Sequence, residues 1–289
     1  MAAAGKNALV LGARGTLGVA LCDELGSAGW SVTPVGHADC DIRDAAAVAA
    51  QVARVSPAAL FNAAAYTDVD RAESEPDAAF AVNATGAANV ARAAAGAGVP
   101  VVHYSTDFVF DGELERPYEE GDPPSPQGLY ARSKVAGDEA VAAEAPRHFI
   151  LRVGCLYGHG GRNFPSTIVR RLRAGENIRA DGERRGSPTW VKEVARVSAA
   201  LVTTELYGLY HCTAQGETTW ADFALQAARL LGLPESRVEG VPSAALRLKA
   251  PRPRRAILEN RMLKLRGLDT LSSWQDALSA FVSEETRLR

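Results

Sequence analysis

Short apolar segments alternate with alanine-rich, amphipathic segments through the first half of the chain. The apolar runs are short and rich in branched residues, as buried strands are. Strands are predicted at Asn7–Leu11, Ser31–Val35, Ala58–Asn62, Val101–Tyr104 and His148–Val153. Helices are predicted at Val19–Gly29, Asp44–Val55, Pro76–Gly98 and around Tyr130–Lys134, the third with a break near Asn83–Gly86. Strands that alternate with helices in this way predict an α/β fold with a doubly wound parallel sheet.

The second half of the chain loses this regular alternation after Gly154. It contains predicted helices at Phe164–Ala174, Trp190–Thr203, Trp220–Leu231 and Trp274–Val282, and a predicted strand at Leu209–Cys212. We interpret this half as a smaller, C-terminal substrate-binding domain wrapped onto the sheet. The sheet domain is predicted to comprise residues 1–156 and 190–212, and the substrate-binding domain residues 157–189 and 213–289.

A glycine-rich turn joins the first predicted strand to the first predicted helix. Gly12, Gly15 and Gly18 stand three residues apart in it. Glycine permits a tight turn, close approach of the backbone to a pyrophosphate, and close packing of helix on strand, and the phosphates then face the helix N-terminus. We therefore predict a Rossmann-type, NAD(P)-binding domain whose cofactor contacts this turn, including Thr16 and Leu17.

The tip of the second predicted strand bears on the choice of cofactor. An NAD site commonly has an acidic residue there, which binds the ribose 2′-hydroxyl, whereas this chain has Gly36-His37. Arg14, inside the glycine turn, can pair with a 2′-phosphate, because a guanidinium matches phosphate geometry. The other interpretation is that Arg14 is simply solvated. We predict NADPH as the cofactor, with NADH as the alternative.

Further segments are predicted to contact the cofactor. Asp41-Ile42 lies on a loop at the strand ends, where an adenine can be held, and small residues after the third strand let the backbone approach a ligand. Asn83 is either a buried hydrogen-bonding brace or a neighbour of the cofactor. The cofactor contacts predicted in these segments are Asp41, Ile42, Asn62, Ala63, Ala64, Ala65, Tyr66 and Asn83.

A hydroxyl, a phenol and an ammonium are predicted to meet at the carboxyl ends of the strands. Thr106 follows the fourth strand, and ligands of doubly wound sheets bind beyond that end. Tyr130 and Lys134 are four residues apart, so they lie on one helical face. Such a set suits proton transfer to a carbonyl oxygen, because a phenol with a pKa of about 10 needs a nearby cation to act near neutral pH. The Tyr-x-x-x-Lys spacing alone is a weak signal, and its surroundings decide its meaning.

Composition and charge narrow the class of protein. The sequence has 32 basic and 34 acidic residues, a formal charge of −2, which gives no reason to expect nucleic acid or a membrane surface as a partner. No apolar stretch approaches the roughly 20 residues of a membrane span, and the N-terminus has no signal-like apolar run. The four cysteines are scattered and suggest neither a disulfide framework nor a metal site. We expect a cytoplasmic protein without a bound metal.

Several motifs together carry a resemblance to a known family. They are Gly12-x-x-Gly15-x-x-Gly18, Asn62-Ala-Ala-Ala-Tyr-Thr67, Val82-Asn-Ala-Thr85, Ser105-Thr-Asp-Phe-Val-Phe-Asp-Gly112, Tyr130-Ala-Arg-Ser-Lys134, Gly186-Ser-Pro-Thr189 and Gly208-Leu-Tyr-His211. In these positions the chain resembles the dTDP-4-dehydrorhamnose reductase family, which belongs to the extended short-chain dehydrogenase/reductase superfamily. The resemblance covers nearly the whole chain, and the segment Ser105–Gly112 is its most specific part.

The resemblance implies a reaction and a site. Hydride would pass from NADPH or NADH to the C4 ketone of a dTDP-linked deoxysugar, with dTDP-rhamnose as the product. Thr106 would orient the carbonyl and Tyr130 would donate the proton, while Lys134 would lower the phenol's pKa and hold the nicotinamide ribose. The implied partner is a nucleotide sugar, and a homodimer is an open alternative to a monomer. The substrate contacts implied are Ser105, Thr106, Phe108, Cys155 and Asn163.

Departures from the family pattern leave alternatives open. Phe108 and Cys155-Leu156 stand where an aromatic pair, Tyr and Trp, would be expected near the sugar, and Glu183–Arg185 also departs from the pattern. The identity of the sugar is therefore open. A 4,6-dehydratase carries Thr-Asp-Glu, and Phe108 in the third position argues against that activity. A 4-epimerase uses the same Tyr and Lys, and a non-catalytic NADP-binding regulator of the methionine adenosyltransferase type is the alternative of a different class.

Overall fold

The structure, a computed structural model, describes residues 6–159 and 163–287. Its strands are β1 (Asn7–Leu11), β2 (Ser31–Val35), β3 (Ala59–Asn62), β4 (Val101–Thr106), β5 (His148–Val153), β6 (Leu156–Tyr157), β7 (Ile178–Asp181), β8 (Arg185–Gly186), β9 (Thr189–Trp190), β10 (Gly208–His211), β11 (Thr218–Thr219), β12 (Val238–Val241) and β13 (Arg255–Ala256). Its α-helices are α1 (Thr16–Ser27), α2 (Ala45–Val55), α3 (Val69–Ala72), α4 (Pro76–Phe80), α5 (Ala87–Ala97), α6 (Leu129–Glu144), α7 (Phe164–Arg173), α8 (Val191–Leu201), α9 (Trp220–Leu230), α10 (Arg261–Leu265) and α11 (Trp274–Arg287). Within these ranges, no helix is both long enough and apolar enough to cross a lipid bilayer.

Parallel strands form the central sheet in the order β10-β5-β4-β3-β1-β2. The predicted α/β fold with a doubly wound parallel sheet is confirmed. β1, β2 and β5 have the predicted bounds, whereas β4 continues to Thr106 because its last residues pair with Arg152 and Val153 of β5. All six strands run the same way, so their carboxyl ends lie along one edge of the sheet, where ligands of this fold bind.

The two faces of the sheet pack into two hydrophobic clusters. Along β1, Ala8 and Val10 enter the cluster that contains α1 and α8, whereas Leu9 and Leu11 enter the one that contains α2 and α5. A strand that is covered on both faces is apolar at nearly every position. That is why the central strands were recognisable as continuous apolar runs.

The predicted break in the helix Pro76–Gly98 is confirmed. α4 and α5 are joined by a π-helical turn, Ala81–Gly86, and Asn83 in this turn is buried. A Cβ added at Gly86 would lie 2.7 Å from the Ile42 side chain. The wider turn therefore brings Asn83 into the interior while Gly86 makes room for the loop after β2.

Short strands that the sequence analysis did not predict organise much of the second half of the chain. β7 pairs with β12, β6 pairs with β9, and β11, β8 and β13 form a small sheet. Strands this short carry too little periodicity to be read from sequence. α7, α8, α9, α11 and β10 do lie where helices and a strand were predicted.

The core is continuous between the two halves of the chain. α7, α9 and α11 contribute side chains to the same hydrophobic cluster as α1 and the central sheet. This shared core does not test the predicted division into two domains, residues 1–156 with 190–212 and residues 157–189 with 213–289. That division stays a prediction.

A carboxylate of α3 anchors a C-terminal segment to the sheet half of the molecule. Asp70 accepts hydrogen bonds from the backbone N–H groups of Lys249 and Ala250, at 2.9 and 2.8 Å, and pairs through both oxygens with Arg252 at 3.0 Å. The Arg252 guanidinium holds the pKa of Asp70 at about 2. Val69, the preceding residue, lines a cavity at the carboxyl ends of the strands. This anchor therefore supports one wall of that cavity.

Asp70→Asn is expected to destabilise the protein at neutral pH but not in strong acid. The folded pKa of about 2 lies below the value of about 3.9 in an unfolded chain, so the carboxylate stabilises the fold above about pH 4 and loses this effect as the pH falls through about 2. The group is partly exposed, so we expect a loss of about 1 kcal/mol at pH 7. Thermal unfolding at pH 7 and at about pH 1.5 measures it, with exposed Asp23→Asn as the matched control. Equal melting temperatures of Asp70→Asn and wild type at pH 7 would refute the anchor.

Candidate active site

The glycine turn lies between β1 and the N-terminus of α1. Gly12 has a φ of 75°, and a Cβ added there would lie 2.5 Å from the Ala64 backbone nitrogen. A Cβ on Gly18 would lie 2.2 Å from the Gly12 carbonyl oxygen, whereas one on Gly15 would lie 3.4 Å from it. Gly12 and Gly18 are thus required by backbone packing, and the backbone at Gly15 is left open beside the helix N-terminus. This cradle fits the pyrophosphate of a dinucleotide.

Arg14 lies across the end of β2. Its side chain is 77% exposed, and its Nη2 is 3.6 Å from Asp39 Oδ2. A Cβ on Gly36 would lie 2.8 Å from Arg14 Nε, so the guanidinium lies against the tip of β2, the part of this fold near which the adenosine ribose binds. Asp39, which accepts a hydrogen bond from the Gly36 N–H at 3.0 Å, is the acidic residue near this tip that the sequence analysis missed.

Asp41 and Ile42 lie on the predicted loop between β2 and α2. Arg43 donates to Asp41 Oδ2 at 2.9 Å and holds the pKa of that carboxyl at about 2. Ile42 is 4% exposed and packs against Gly86. The loop thus combines a paired carboxylate with an apolar side chain, and its contact with an adenine stays a prediction.

A cavity of about 520 Å³ opens at the carboxyl ends of the strands. The predicted site residues that line it are Gly15, Thr16, Leu17, Ala63, Ala65, Ser105, Thr106, Phe108, Tyr130, Lys134, Cys155 and Asn163. Leu156, noted above as a departure from the family pattern near the sugar, also lines it. Lining residues that the sequence analysis missed are Thr67, Val69, Tyr104, Asp107, Val153, Phe164, Pro165 and Trp220. The structure therefore brings all three predicted catalytic residues to one cavity that also reaches the glycine turn.

Thr106 and Asp107 form a chain of hydrogen bonds at this cavity. Thr106 Oγ1 donates to Asp107 Oδ1 at 3.0 Å and accepts from the Phe108 N–H at 3.2 Å. Asp107 is 2% exposed, and burial raises the pKa of its carboxyl to about 7. Its place directly after Thr106 was the signal that could have identified it.

Tyr130 lies in the first turn of α6, against Phe108. The two rings meet edge to face, with centroids 6.3 Å apart and an interplanar angle of 83°. Burial raises the pKa of Tyr130 above its usual range. A hydrogen bond with the Thr106 side chain offsets only part of that rise. The phenol is thus protonated at neutral pH and in contact with the hydroxyl that was predicted to act with it.

Lys134 is buried between α6 and the sheet. Its Nζ donates to the Tyr104 carbonyl oxygen at 2.6 Å and lies 3.4 Å from His103 Nε2. Burial lowers the pKa of Lys134 to about 8, and the Asp138 carboxylate opposes that shift. The ammonium is therefore charged at neutral pH. Its predicted effect on the phenol of Tyr130 stays a prediction.

Asn83 braces the segment after β3 against α6. Its Oδ1 accepts from the Tyr66 N–H at 2.9 Å, and its Nδ2 donates to the Tyr66 carbonyl oxygen at 3.0 Å and to Ser133 Oγ at 2.9 Å. Of the two alternatives left open for this residue, the structure supports the brace. Contacts of Asn83 and Tyr66 with a cofactor stay predictions.

The remaining predicted substrate contacts differ in how their side chains are engaged. Ser105 Oγ donates to Asp138 Oδ2 at 2.8 Å, which commits this hydroxyl to α6. Asn163 accepts from the Ser166 N–H at 2.9 Å and so caps α7. Cys155 has a φ of 49°, in the left-handed region that favours glycine. Strain of this kind is found most often at functional sites.

The glycine turn and the set of Thr106, Tyr130 and Lys134 at one cavity define a class of protein. This class is the NAD(P)-dependent oxidoreductases of the extended short-chain dehydrogenase/reductase type. A family profile described as the RmlD substrate binding domain matches residues 6–287, and the chain belongs to that family.

Individual relatives match over nearly the whole chain. A dTDP-4-dehydrorhamnose reductase from Streptomyces griseus is 40% identical over 277 residues, covering 94% of this chain and 91% of the relative. A dTDP-4-keto-6-deoxy-D-glucose reductase from Streptomyces niveus is 37% identical over 272 residues, covering 94% of each. The crystal structure of a dTDP-4-dehydrorhamnose reductase from Bacillus anthracis, in complex with NADP, superposes with a TM-score of 0.93 at 34% identity and covers 97% of this chain and 99% of that one.

Substitution of the glycines should separate packing from cofactor binding. Gly18→Ala is expected to destabilise the protein by about 2 kcal/mol, because its methyl group must displace backbone atoms. Gly15→Ala, its matched control, should leave the melting temperature nearly unchanged but weaken NADPH binding about tenfold, since ~1.4 kcal/mol corresponds to a factor of ten. Thermal unfolding and fluorescence titration with NADPH give the two readouts. A wild-type melting temperature for Gly18→Ala, or wild-type affinity for Gly15→Ala, would contradict the respective assignment.

Asp107→Asn is expected to stabilise the protein increasingly as the pH rises. The folded pKa of about 7 lies above the unfolded value of about 3.9, so the contribution of Asp107 to stability is greatest below about pH 4. It falls between about pH 4 and pH 7, where the carboxyl ionises in the unfolded chain but stays protonated in the folded protein. The asparagine variant lacks this loss, which we place at about 2 to 4 kcal/mol. The difference between the two melting temperatures, measured from pH 4 to pH 8, should grow and then level off. A difference that does not depend on pH would show that Asp107 is not the titrating group.

Proposed function

We propose that this protein is an NADPH-dependent reductase of the 4-keto group of a nucleotide-linked deoxysugar, converting dTDP-4-dehydrorhamnose to dTDP-rhamnose. The observation that carries the proposal is that Thr106, Tyr130 and Lys134 line one cavity that also reaches the glycine turn. Family membership and the names of the relatives support the same reaction. NADH can supply the same chemistry and is the alternative cofactor.

The chemistry of the site suits reduction of a ketone. The bound cofactor supplies the hydride. Tyr130 donates a proton to the carbonyl oxygen, and burial, which raises the pKa of Tyr130, keeps that proton in place until hydride transfer makes the oxygen basic. The Thr106 hydroxyl, in contact with the phenol, orients the carbonyl. The charged ammonium of Lys134 stabilises the tyrosinate that remains.

The cofactor would be held along the strand ends. The backbone between Gly12 and Gly18 would receive the pyrophosphate, and Arg14 the 2′-phosphate. The loop at Asp41 and Ile42 would hold the adenine. The segment from Asn62 to Tyr66, braced by Asn83, would line the path to the nicotinamide ribose beside Tyr130 and Lys134.

The substrate would enter on the side of Phe108 and Cys155, with Asn163 at the start of α7. Relatives named for different sugars have similar identities to this chain, so the sugar is part of the proposal. Phe108 supplies no carboxylate for the elimination of a 4,6-dehydratase. A cytoplasmic location and assembly as a homodimer stay predictions.

NADPH consumption with a panel of dTDP-, UDP- and GDP-linked 4-keto-6-deoxyhexoses, with NMR of each product, tests this function. We expect the highest kcat/KM with dTDP-4-dehydrorhamnose. Rapid turnover of another sugar nucleotide would correct the substrate. NADPH binding without consumption of any substrate would favour the regulatory alternative, and a cofactor that stays bound through each cycle would favour an epimerase.

Tyr130→Phe is expected to lower kcat at least about a hundredfold, because general acid catalysis contributes about 10² to 10⁴ in rate. NADPH affinity should stay within about threefold of wild type. Steady-state kinetics and fluorescence titration measure the two effects. Unaltered turnover would remove Tyr130 as the proton donor.

A further inference from the structure

A row of polar side chains interrupts the hydrophobic core on the face of the sheet that α6 covers. Asn62, His103 and Arg152 come from the neighbouring strands β3, β4 and β5, and each is at most 4% exposed. On α6, Lys134 contacts His103, and Asp138, four residues further on, accepts a hydrogen bond from Arg152. Polar groups are costly to bury unless they are paired. The hydrogen bonds within this row therefore show how its members hold one another in place.

His103 is a neutral member of the row. It is 1% exposed, and both burial and the Lys134 ammonium lower its pKa well below the usual value. Protonation would add a third buried cation to those of Lys134 and Arg152. The Asp138 carboxylate on α6 faces both His103 and Lys134. Tyr130, also on α6, is in turn acted on by the carboxyl groups of Asp107 and Asp138.

The contact with Lys134 determines the tautomer of His103. An ammonium can only donate, so at 3.4 Å the imidazole Nε2 must be the acceptor. The ring proton is then on Nδ1, which lies 3.2 Å from Asn62 Nδ2 as the amide is placed, so this tautomer requires the amide to be rotated by half a turn. The opposite tautomer would direct an Nε2 proton at Asp138 Oδ1, which is 3.8 Å away and too far for a hydrogen bond.

The Asn62 amide completes the chain. With its oxygen turned towards His103 it accepts the Nδ1 proton, and the orientation of an amide is assigned from its hydrogen-bond network. The same rotation of the amide gives Asn62 Oδ1 a partner that it otherwise lacks among the described residues. Hydrogen bonds would then run from Lys134 through His103 to Asn62, at the end of β3.

We propose that neutral His103, oriented by Asn62, is a positioning residue that holds the ammonium of Lys134 for the reaction at Tyr130. His103 Nε2 and the Tyr104 carbonyl oxygen take two of the three ammonium hydrogens and leave one for the cavity. α6 is pressed against this point, because a Cβ on Gly137 would lie 2.1 Å from the Asn83 carbonyl oxygen and 3.6 Å from His103 Nε2. The ammonium is therefore confined between helix and sheet.

Variants of His103 test the positioning role through the pH dependence of the reaction. His103→Leu removes the acceptor, so the charged form of Lys134 loses a bond. The basic limb of the pH profile of kcat/KM is expected to move down by about one unit, and kcat to fall about tenfold. His103→Gln can still accept through its side-chain oxygen and should restore most of both.

Ile150→Val is the matched control for packing. Ile150 pairs with His103 across β4 and β5 and is 3% exposed. This variant should lower the melting temperature without moving the basic limb. An unmoved limb in His103→Leu, or a His103→Gln variant no better than His103→Leu, would overturn the proposal.

A measurement on the unmodified protein is independent of the enzymatic reaction. NMR of protein labelled with ¹⁵N-histidine should show His103 with its proton on Nδ1 and a bare Nε2, unchanged down to about pH 5. Loss of this signal in His103→Gln assigns it. An Nε2-protonated or charged ring would overturn the proposal, even if His103→Leu fails to fold. The kinetic readout rests on the proposed reductase function, whereas this one does not, so the two can fail separately.

Discussion

The site depends on keeping the ammonium of Lys134 charged while it is buried. Removing a charge from water is costly unless other groups solvate it, and here the Tyr104 carbonyl oxygen and His103 Nε2 do so. Both acceptors belong to β4, the strand that ends at Thr106. One strand therefore holds the cation and carries the hydroxyl, so the two groups that act with Tyr130 share one rigid support.

Close packing of α6 fixes the third group. A Cβ on Gly137 would lie 2.1 Å from the Asn83 carbonyl oxygen, so the helix meets the π-helical turn at backbone distance. Asn83 in turn bonds to both Tyr66 and Ser133. The phenol of Tyr130 is thus positioned by contacts that link α6 to the segment after β3, where the predicted cofactor site continues.

The central strands and longer helices could be predicted because their burial leaves a regular pattern. Leu9 and Leu11 on one face of β1, and Ala8 and Val10 on the other, are all apolar because both faces are covered. Asp44 predicted the start of α2, and its side chain does cap that helix. The short strands of the second half escaped prediction, because their pairing depends on segments far away in sequence, such as β7 with β12.

Taken by itself, the sequence determined the local geometry of the site. The glycine spacing predicted a tight turn between the first strand and the first helix, and the four-residue spacing from Tyr130 to Lys134 placed them on one helical face. Only the tertiary structure decided which side chains surround them: Phe108 edge to face with Tyr130, and His103 beside Lys134. The physical reason is that spacing within one helix or turn is set by backbone geometry, whereas charge and hydrogen bonding in the core depend on which strands and helices come together.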